Sequence, residues 1–190
     1  MQKNIIRIAV GTGLLLLIPL VLTLSGDGVD GQGWNWKPGD FIFAFVLLFG
    51  AGLTYELVAR RSDSSTYRFA VGIAVVSGLL LVWVNGAVGI IGEPGGPNLM
   101  YFGVLAVGFI GALVARFRSR GMARALFTMA IAQMLVPVIA LVIAKPQVTM
   151  EPPGVVGVFG LNAFFAMLFV GSALLFRRAS TTNSKSNRRL

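Results

Sequence analysis

Residues 41–61 read FIFAFVLLFGAGLTYELVARR, an apolar run that ends on two arginines. Crossing the hydrocarbon core of a bilayer takes about 20 apolar residues in a helix. Only helices and closed barrels satisfy their backbone hydrogen bonds in lipid. Barrel strands are about 10 residues long and alternate in polarity, which this run does not. The stretch therefore predicts a transmembrane helix.

The composition of the whole chain agrees with this prediction. Of 190 residues, 56% are hydrophobic and 12% are charged, against about 25% charged in soluble domains. The mean hydropathy is +0.81. The chain is therefore expected to be an all-α, polytopic integral membrane protein with the lipid bilayer as its main partner.

Six apolar runs separated by polar loops predict six transmembrane helices within a transmembrane domain of residues 1–176. A basic tail is expected to be disordered in the cytoplasm over residues 177–190. The first run also has the basic start of a signal peptide, so its retention stays open. The expected helices are 8–24, 41–59, 69–91, 99–115, 125–144 and 155–176.

Charge predicts the orientation of these helices. Of 16 lysines and arginines, 14 fall on one side when the N-terminus is placed in the cytoplasm, and only Lys37 and Lys145 fall outside. The positive-inside rule then predicts that both termini are cytoplasmic. The same rule accounts for the net charge of +9 without nucleic acid as a partner.

An internal repeat is a second prediction. The tetrapeptide LVAR occurs at 57–60 and at 113–116, an offset of 56 residues that also matches Arg68 with Arg124. The predicted repeat units are helical hairpins over 41–91 and 97–144, related by an axis along the membrane normal. Two unrelated apolar hairpins would also share such features.

Glu56 has two interpretations. It lies four residues before Arg60, on one helix face and about 6 Å below it along the helix axis, so a local ion pair near the headgroups is favoured. A carboxylate within a span also suggests a proton or cation site. The depth is shallow and a partner is built in, which favours the ion pair.

Deeper polar residues are few and uncharged. Gln133 precedes Pro137, which is expected to kink its helix, and Asn162 and Asn85 lie in the last and third helices. Such amides usually join helices by hydrogen bonds. The alternative is a polar track for a small solute, with Gln133 beside the kink as its best candidate.

Small residues at helical spacing predict close helix packing, within the chain or between chains. These residues are Gly52, Ala70, Ala74, Gly78, Gly108 and Ala112.

The chain has no cysteine and no histidine. Thiolate redox chemistry, Cys/His zinc sites and the commonest general base are therefore excluded. The sequence predicts no catalytic residue, no cofactor and no metal site, and an enzyme is not expected.

Several motifs resemble those of a group of small bacterial inner-membrane proteins. They are W-x-x-x-D-F over 36–41, L-x-x-G-x-G-L-x-Y-E-L-x-x-R over 47–60, and W-V-N-x-A-V-G-I over 83–90. The resemblance covers the first half of the chain. It implies a bacterial inner-membrane location and includes Glu56 and Arg60, but it brings no activity or ligand.

Three classes of function remain open. The favoured one is a non-enzymatic accessory or structural subunit of a membrane complex, with other membrane subunits or further copies of the chain as partners. The alternative is a channel or transporter for a small neutral or weakly charged solute. An intramembrane enzyme is the remote alternative, because no nucleophile–base pair stands out.

Overall fold

The computed structural model describes residues 2–25, 35–92 and 95–186, with side chains as far as Thr181. The described chain is helical and contains no strand. Six of its helices are long and apolar enough to cross a membrane, which confirms the predicted all-α, polytopic class. The bounds are α1 Gln2–Ser25, α2 Pro38–Ala59, α3 Ser65–Ala87, α4 Met100–Val114, α5 Ser119–Ile143, α6 Lys145–Thr149 and α7 Gly154–Ser186. A 3-10 turn, Gly96–Leu99, precedes α4, and α6 is a short helix between two long ones.

Two helix ends differ from the prediction. Helix α7 continues to Ser186, so residues 177–186 are helical where a disordered tail was expected. No proline or glycine interrupts this stretch, and Ser180 and Thr181 bond back to carbonyls three residues earlier. The remaining residues, 187–190, lie outside the described residues.

Helix α3 ends at Ala87, four residues before its predicted end at residue 91. Gly89 and Gly92 adopt positive φ angles of 72° and 61°, a conformation that breaks a right-handed helix. The amides of Ile90 and Ile91 bond to the side chain of Asn98 instead of to helix carbonyls. The apolar run therefore continues past the helix as a buried turn.

The chain forms two compact units, residues 1–57 and 58–190. The first holds α1 and most of α2. There, a Cβ on Gly52 would come within 2.7 Å of Ile8 Cγ2, so this glycine packs inside the unit as its small size predicts. The unit boundary, after Leu57, lies in the last turn of α2. The predicted repeat stays a prediction.

The second unit is a bundle of four long helices. Helix α7 packs against both α3 and α5, and α4 packs against α5 and, more lightly, α3. Ala70 is buried in α3, and its carbonyl accepts a hydrogen bond from Ser172 of α7. A Cβ on Gly78 would lie 3.6 Å from Leu105 Cδ2, and a Cβ on Gly108 would meet the side chain of Met129. Ala74 and Ala112 are half-buried in α3 and α4.

Large apolar side chains cover the outside of both units. Val142 is 80% exposed and Val156 is 87% exposed, although both lie in spanning helices. Such a surface is unfavourable in water and favourable against lipid tails. The exposed apolar surface agrees with a bilayer environment.

Gly111 provides a test of the α4–α5 contact. A Cβ there would lie 2.7 Å from Ala125 Cβ and 3.2 Å from Ala125 Cα, so backbone must move. We expect Gly111→Ala to lower the free energy of unfolding by about 1–3 kcal/mol, as overpacking usually does. Gly103→Ala is the matched control, because no atom lies within 4 Å of its Cβ in the same helix. Unfolding in mixed micelles measures the stability of both variants. If Gly111→Ala were as stable as Gly103→Ala, the close α4–α5 contact at Gly111 would be contradicted.

A buried amide cluster as the candidate functional site

Three polar side chains from three helices meet inside the second unit. Gln133 of α5 donates through Nε2 to Asn162 Oδ1 of α7 at 2.9 Å. Asn162 Nδ2 donates to the Tyr101 hydroxyl of α4 at 2.9 Å and to the Val158 carbonyl at 2.8 Å. We call Gln133, Asn162 and Tyr101 the amide cluster. Gln133 and Asn162 are fully buried, and Tyr101 is 1% exposed.

The sequence around each residue explains its position. Gln133 lies one helical turn before Pro137, which is buried within α5. Asn162 follows Val158 by four residues, so its amide can bond a carbonyl of its own helix and still reach across the bundle. Tyr101 is in the first turn of α4, and its long ring carries the hydroxyl inward. The cluster thus links α4, α5 and α7.

One acceptor of the cluster has no partner among the described residues. Gln133 Oε1 is buried and accepts no hydrogen bond from the described residues. Leaving a buried polar atom unpaired costs about 1–3 kcal/mol. Asn162 uses all its donors and its acceptor, so it cannot relieve Gln133. The cluster therefore presents a carbonyl oxygen that a hydrogen-bond donor would stabilise.

A second polar group lies where α3 ends and α4 begins. Asn98 accepts at Oδ1 from the amides of Ile90 and Ile91, both at 2.9 Å, and donates to the Ile91 carbonyl. Asn85 donates to the Asn98 carbonyl at 3.2 Å, while its own Oδ1 is buried and has no hydrogen-bond partner in the part of the chain that the structure describes. Ile90 and Ile91 are fully buried. We call residues 88–92 with Asn98 the plug, and this end of the bundle the plug end.

A narrow void lies between the plug and the amide cluster. Asn85 and Tyr101 both line it, together with apolar side chains of α3 and α4 such as Leu81 and Leu105. It is too small for a water molecule. Polar groups thus follow one another from Asn98 through Asn85 and Tyr101 to Gln133, but no open passage joins them in this conformation.

The opposite end, where the arginine-rich loops lie, is closed by aromatic packing. The Tyr67 hydroxyl donates to the Phe117 carbonyl at 2.7 Å, and its ring meets Phe176 edge-on at 5.0 Å. Both Tyr67 and Phe176 are buried. Arg61 covers the Phe117 ring at 5.5 Å. Helices α3, α7 and the α4–α5 loop are thereby joined.

Glu56 lies in the first unit, where Asn4 Nδ2 donates to Glu56 Oε1. Asn4 is a partner that the sequence did not suggest, since it lies 52 residues away. Arg60 belongs to the second unit. The ion pair between Glu56 and Arg60 stays a prediction.

The structure thus brings together only some of the polar residues that the sequence suggested for a site. Gln133 and Asn162 meet, Asn85 lies at the plug, and Glu56 lies in the other unit. Tyr101 and Asn98 were not expected in a site. Tyr101 has the position of an interfacial aromatic residue, and the only sequence signal for Asn98 is its place after a glycine- and proline-rich turn.

The chemistry available at the amide cluster is neutral hydrogen bonding. Its members are two carboxamides and a phenol, which offer donors and acceptors but no charge near neutral pH. Among the described residues, no group of three or more His, Cys, Asp or Glu side chains is placed to hold a metal ion. Comparison of the chain with models of protein families, with curated proteins and with solved structures gave no match.

Proposed function

We propose that this protein is a membrane carrier for a small, neutral, polar solute, and that the amide cluster is its binding site. The observation that carries the proposal is the unpaired Gln133 Oε1 beside Asn162 and Tyr101 in a fully buried position. A solute that donates a hydrogen bond to this oxygen would remove the cost of leaving it unpaired. The Tyr101 hydroxyl, which accepts here, also has a proton to donate.

A carrier fits the geometry better than an open channel. The plug closes one end with Ile90 and Ile91, and Tyr67 packed on Phe176 closes the other. A carrier alternates between states open to one side and states closed to both, with its site near the bilayer midplane. An ion-coupled pump is disfavoured, because such pumps use ionisable groups inside the membrane and the amide cluster has none.

Solute flux tests the proposal. Vesicles containing the purified protein are mixed rapidly with urea, acetamide or glycerol, and light scattering records their swelling. We expect the protein to speed entry of at least one of these solutes. Gln133→Met, which keeps the length of the side chain and removes the amide, is expected to lower that rate at least about tenfold, the effect of losing one buried hydrogen bond.

The matched control is Gln2→Met, at an exposed position at the start of α1. It is expected to transport like the unchanged protein. If Gln133→Met folds and transports as fast as Gln2→Met, the amide cluster is not a solute site. If no solute enters faster with protein than without it, the carrier proposal fails.

A non-enzymatic accessory or structural subunit is the second candidate. It is favoured by α1 and α2, in whose apolar windows only 6% and 11% of residues are buried, against 39% in α5 and α7. Their surfaces could contact lipid or another subunit. Native extraction followed by mass measurement separates these cases: a stoichiometric set of other proteins would support the subunit role, and a lone monomer or homo-oligomer would exclude it.

We further propose a bacterial inner-membrane location with both termini in the cytoplasm. The motif resemblance supports the location, and the distribution of basic residues supports the orientation. Under this orientation the plug end faces outward. Reporter fusions at the C-terminus, active only on one side of the membrane, test it; an external C-terminus would contradict it.

A further inference from the structure

A large open cavity lies at the plug end of the second unit, outside the amide cluster. Its volume is about 690 Å³, within the range of small-molecule sites. The plug forms one wall with Val88, Ile91 and Gly92, and Gln147 of α6 with Glu151 and Pro152 forms the other. We call this the plug-end cavity.

The one charged side chain in the described lining of the cavity is an acceptor. Glu151 contributes a carboxylate, which accepts hydrogen bonds and carries a negative charge. Gln147 also lines the cavity, but its Oε1 is buried and offers no surface to a ligand there. No described lining residue is basic. A ligand that matches this wall carries a positive charge and N–H donors.

Gly92 lets the Glu151 carboxylate approach the plug. Its φ of 61° lies in the left-handed region, which disfavours other residues. A Cβ there would collide with Glu151 Oε2 and would lie 3.4 Å from Gln147 Cβ. The absent side chain lets the carboxylate lie directly on the backbone of the plug. A local conformation thus determines where the charge of the cavity is.

Apart from Gln147 and Glu151, the described lining residues of the cavity are glycine or apolar. Val88, Pro97 and Pro152 offer hydrocarbon surface beside the Glu151 carboxylate, whereas Ile91 is fully buried behind them. Sites of this kind bind the body of a ligand by apolar contact and orient its head by a few polar groups. The volume exceeds what an ammonium ion alone would fill.

We propose that the plug-end cavity binds a small organic molecule with a primary ammonium head and a short apolar body, its head bonded by the Glu151 carboxylate. This site is separate from the amide cluster and does not require that the protein carry a solute. A ligand here would contact the plug at Val88, so its occupancy is expected to stabilise the plug.

Thermal unfolding of the purified full chain tests the proposal with three probes of one body size. The first is n-butylammonium, which has both a positive charge and N–H donors. The second is n-butyltrimethylammonium, which has the charge but no N–H donor. The third is n-butanol, which has neither the charge nor an N–H donor. A ligand that binds only the folded protein raises the unfolding temperature in proportion to its occupancy. At equal ionic strength, we expect the unfolding temperature to rise saturably with n-butylammonium and not with the other two probes.

Two variants locate the binding. Glu151→Gln keeps the shape and removes the charge, and is expected to weaken n-butylammonium binding at least about tenfold, as loss of a charged hydrogen bond does. Asp63→Asn, an exposed acid before α3 at the opposite end, is the matched control and is expected to bind normally.

Three outcomes would overturn the proposal. One is an equal rise with n-butyltrimethylammonium, which would mean that N–H donors are not recognised. Another is unchanged n-butylammonium binding by folded Glu151→Gln. The third is stabilisation by Mg²⁺ or Ca²⁺ but not by n-butylammonium, which would assign the carboxylate to a divalent cation.

Discussion

Replacing Asn98 with alanine is expected to lower the free energy of unfolding by about 3–5 kcal/mol, the largest effect of any single change proposed for this chain. The substitution leaves the amides of Ile90 and Ile91 and the carbonyl of Ile91 without their partner. Ile90 and Ile91 are fully buried, so water cannot replace that partner without opening the plug. Each orphaned group costs about 1–3 kcal/mol.

The measurement is unfolding of purified protein in mixed micelles, followed by circular dichroism. Asn35→Ala is the matched control, because Asn35 is exposed just before α2, and it is expected to change stability by less than about 0.5 kcal/mol. If Asn98→Ala were as stable as this control, the plug would not be held by the Asn98 side chain.

Asn162→Leu is expected to have the second largest effect, about 2–3 kcal/mol of lost stability together with lost solute flux. The change removes the bonds to Gln133 and Tyr101 and leaves the amide nitrogen of Gln133 buried without an acceptor. Interhelical hydrogen bonds in membranes average about 0.6 kcal/mol, so most of the loss comes from the orphaned partners.

A double variant separates stability from function. In Gln133→Leu/Asn162→Leu both partners become apolar, and replacing both partners of a hydrogen bond can be nearly neutral. We expect only part of the lost stability to return, because the buried Tyr101 hydroxyl still lacks its Asn162 donor, while solute flux stays lost. A double variant that is stable and still carries solute would show that the amides serve packing alone.

The sequence was sufficient for the spanning helices because hydrocarbon leaves the backbone almost no other choice. The prediction from sequence was wrong at the end of α3, where a side chain takes backbone hydrogen bonds that the helix would otherwise use. Residues 88–91 are apolar enough to extend α3, yet Asn98 takes the amides of Ile90 and Ile91 and the helix ends at Ala87. Nothing in the apolar pattern indicates which distant asparagine does this.

The candidate site was predictable only in part, for a related reason. Gln133 and Asn162 stand out because amides are rare deep inside apolar helices, and the structure brings them within 2.9 Å. Tyr101 did not stand out, because a tyrosine near a helix end is typical of the membrane interface. The cavity beside Glu151 depends on the fold of a glycine-rich turn, which periodicity does not describe.

The proposed carrier requires that the bundle open at its plug end, so that solute can reach the amide cluster. The chain has no cysteine, so single cysteines can be placed directly. Leu81 is fully buried and lines the void between the plug and Tyr101. Val76, in the same helix, is 54% exposed on the apolar surface and provides the lipid-facing control. Val88, 65% exposed at the plug-end cavity, provides the accessible control.

The deciding measurement is the reaction rate of these cysteines with a membrane-impermeant thiol reagent, in intact membranes and from each side. Only the thiolate reacts, so the reaction reports access to water. We predict that Leu81→Cys reacts from the same side as Val88→Cys, more slowly, and that a transported solute slows it further. A Leu81→Cys variant that folds but reacts no faster than Val76→Cys from either side would contradict the opening and, with it, the proposed carrier.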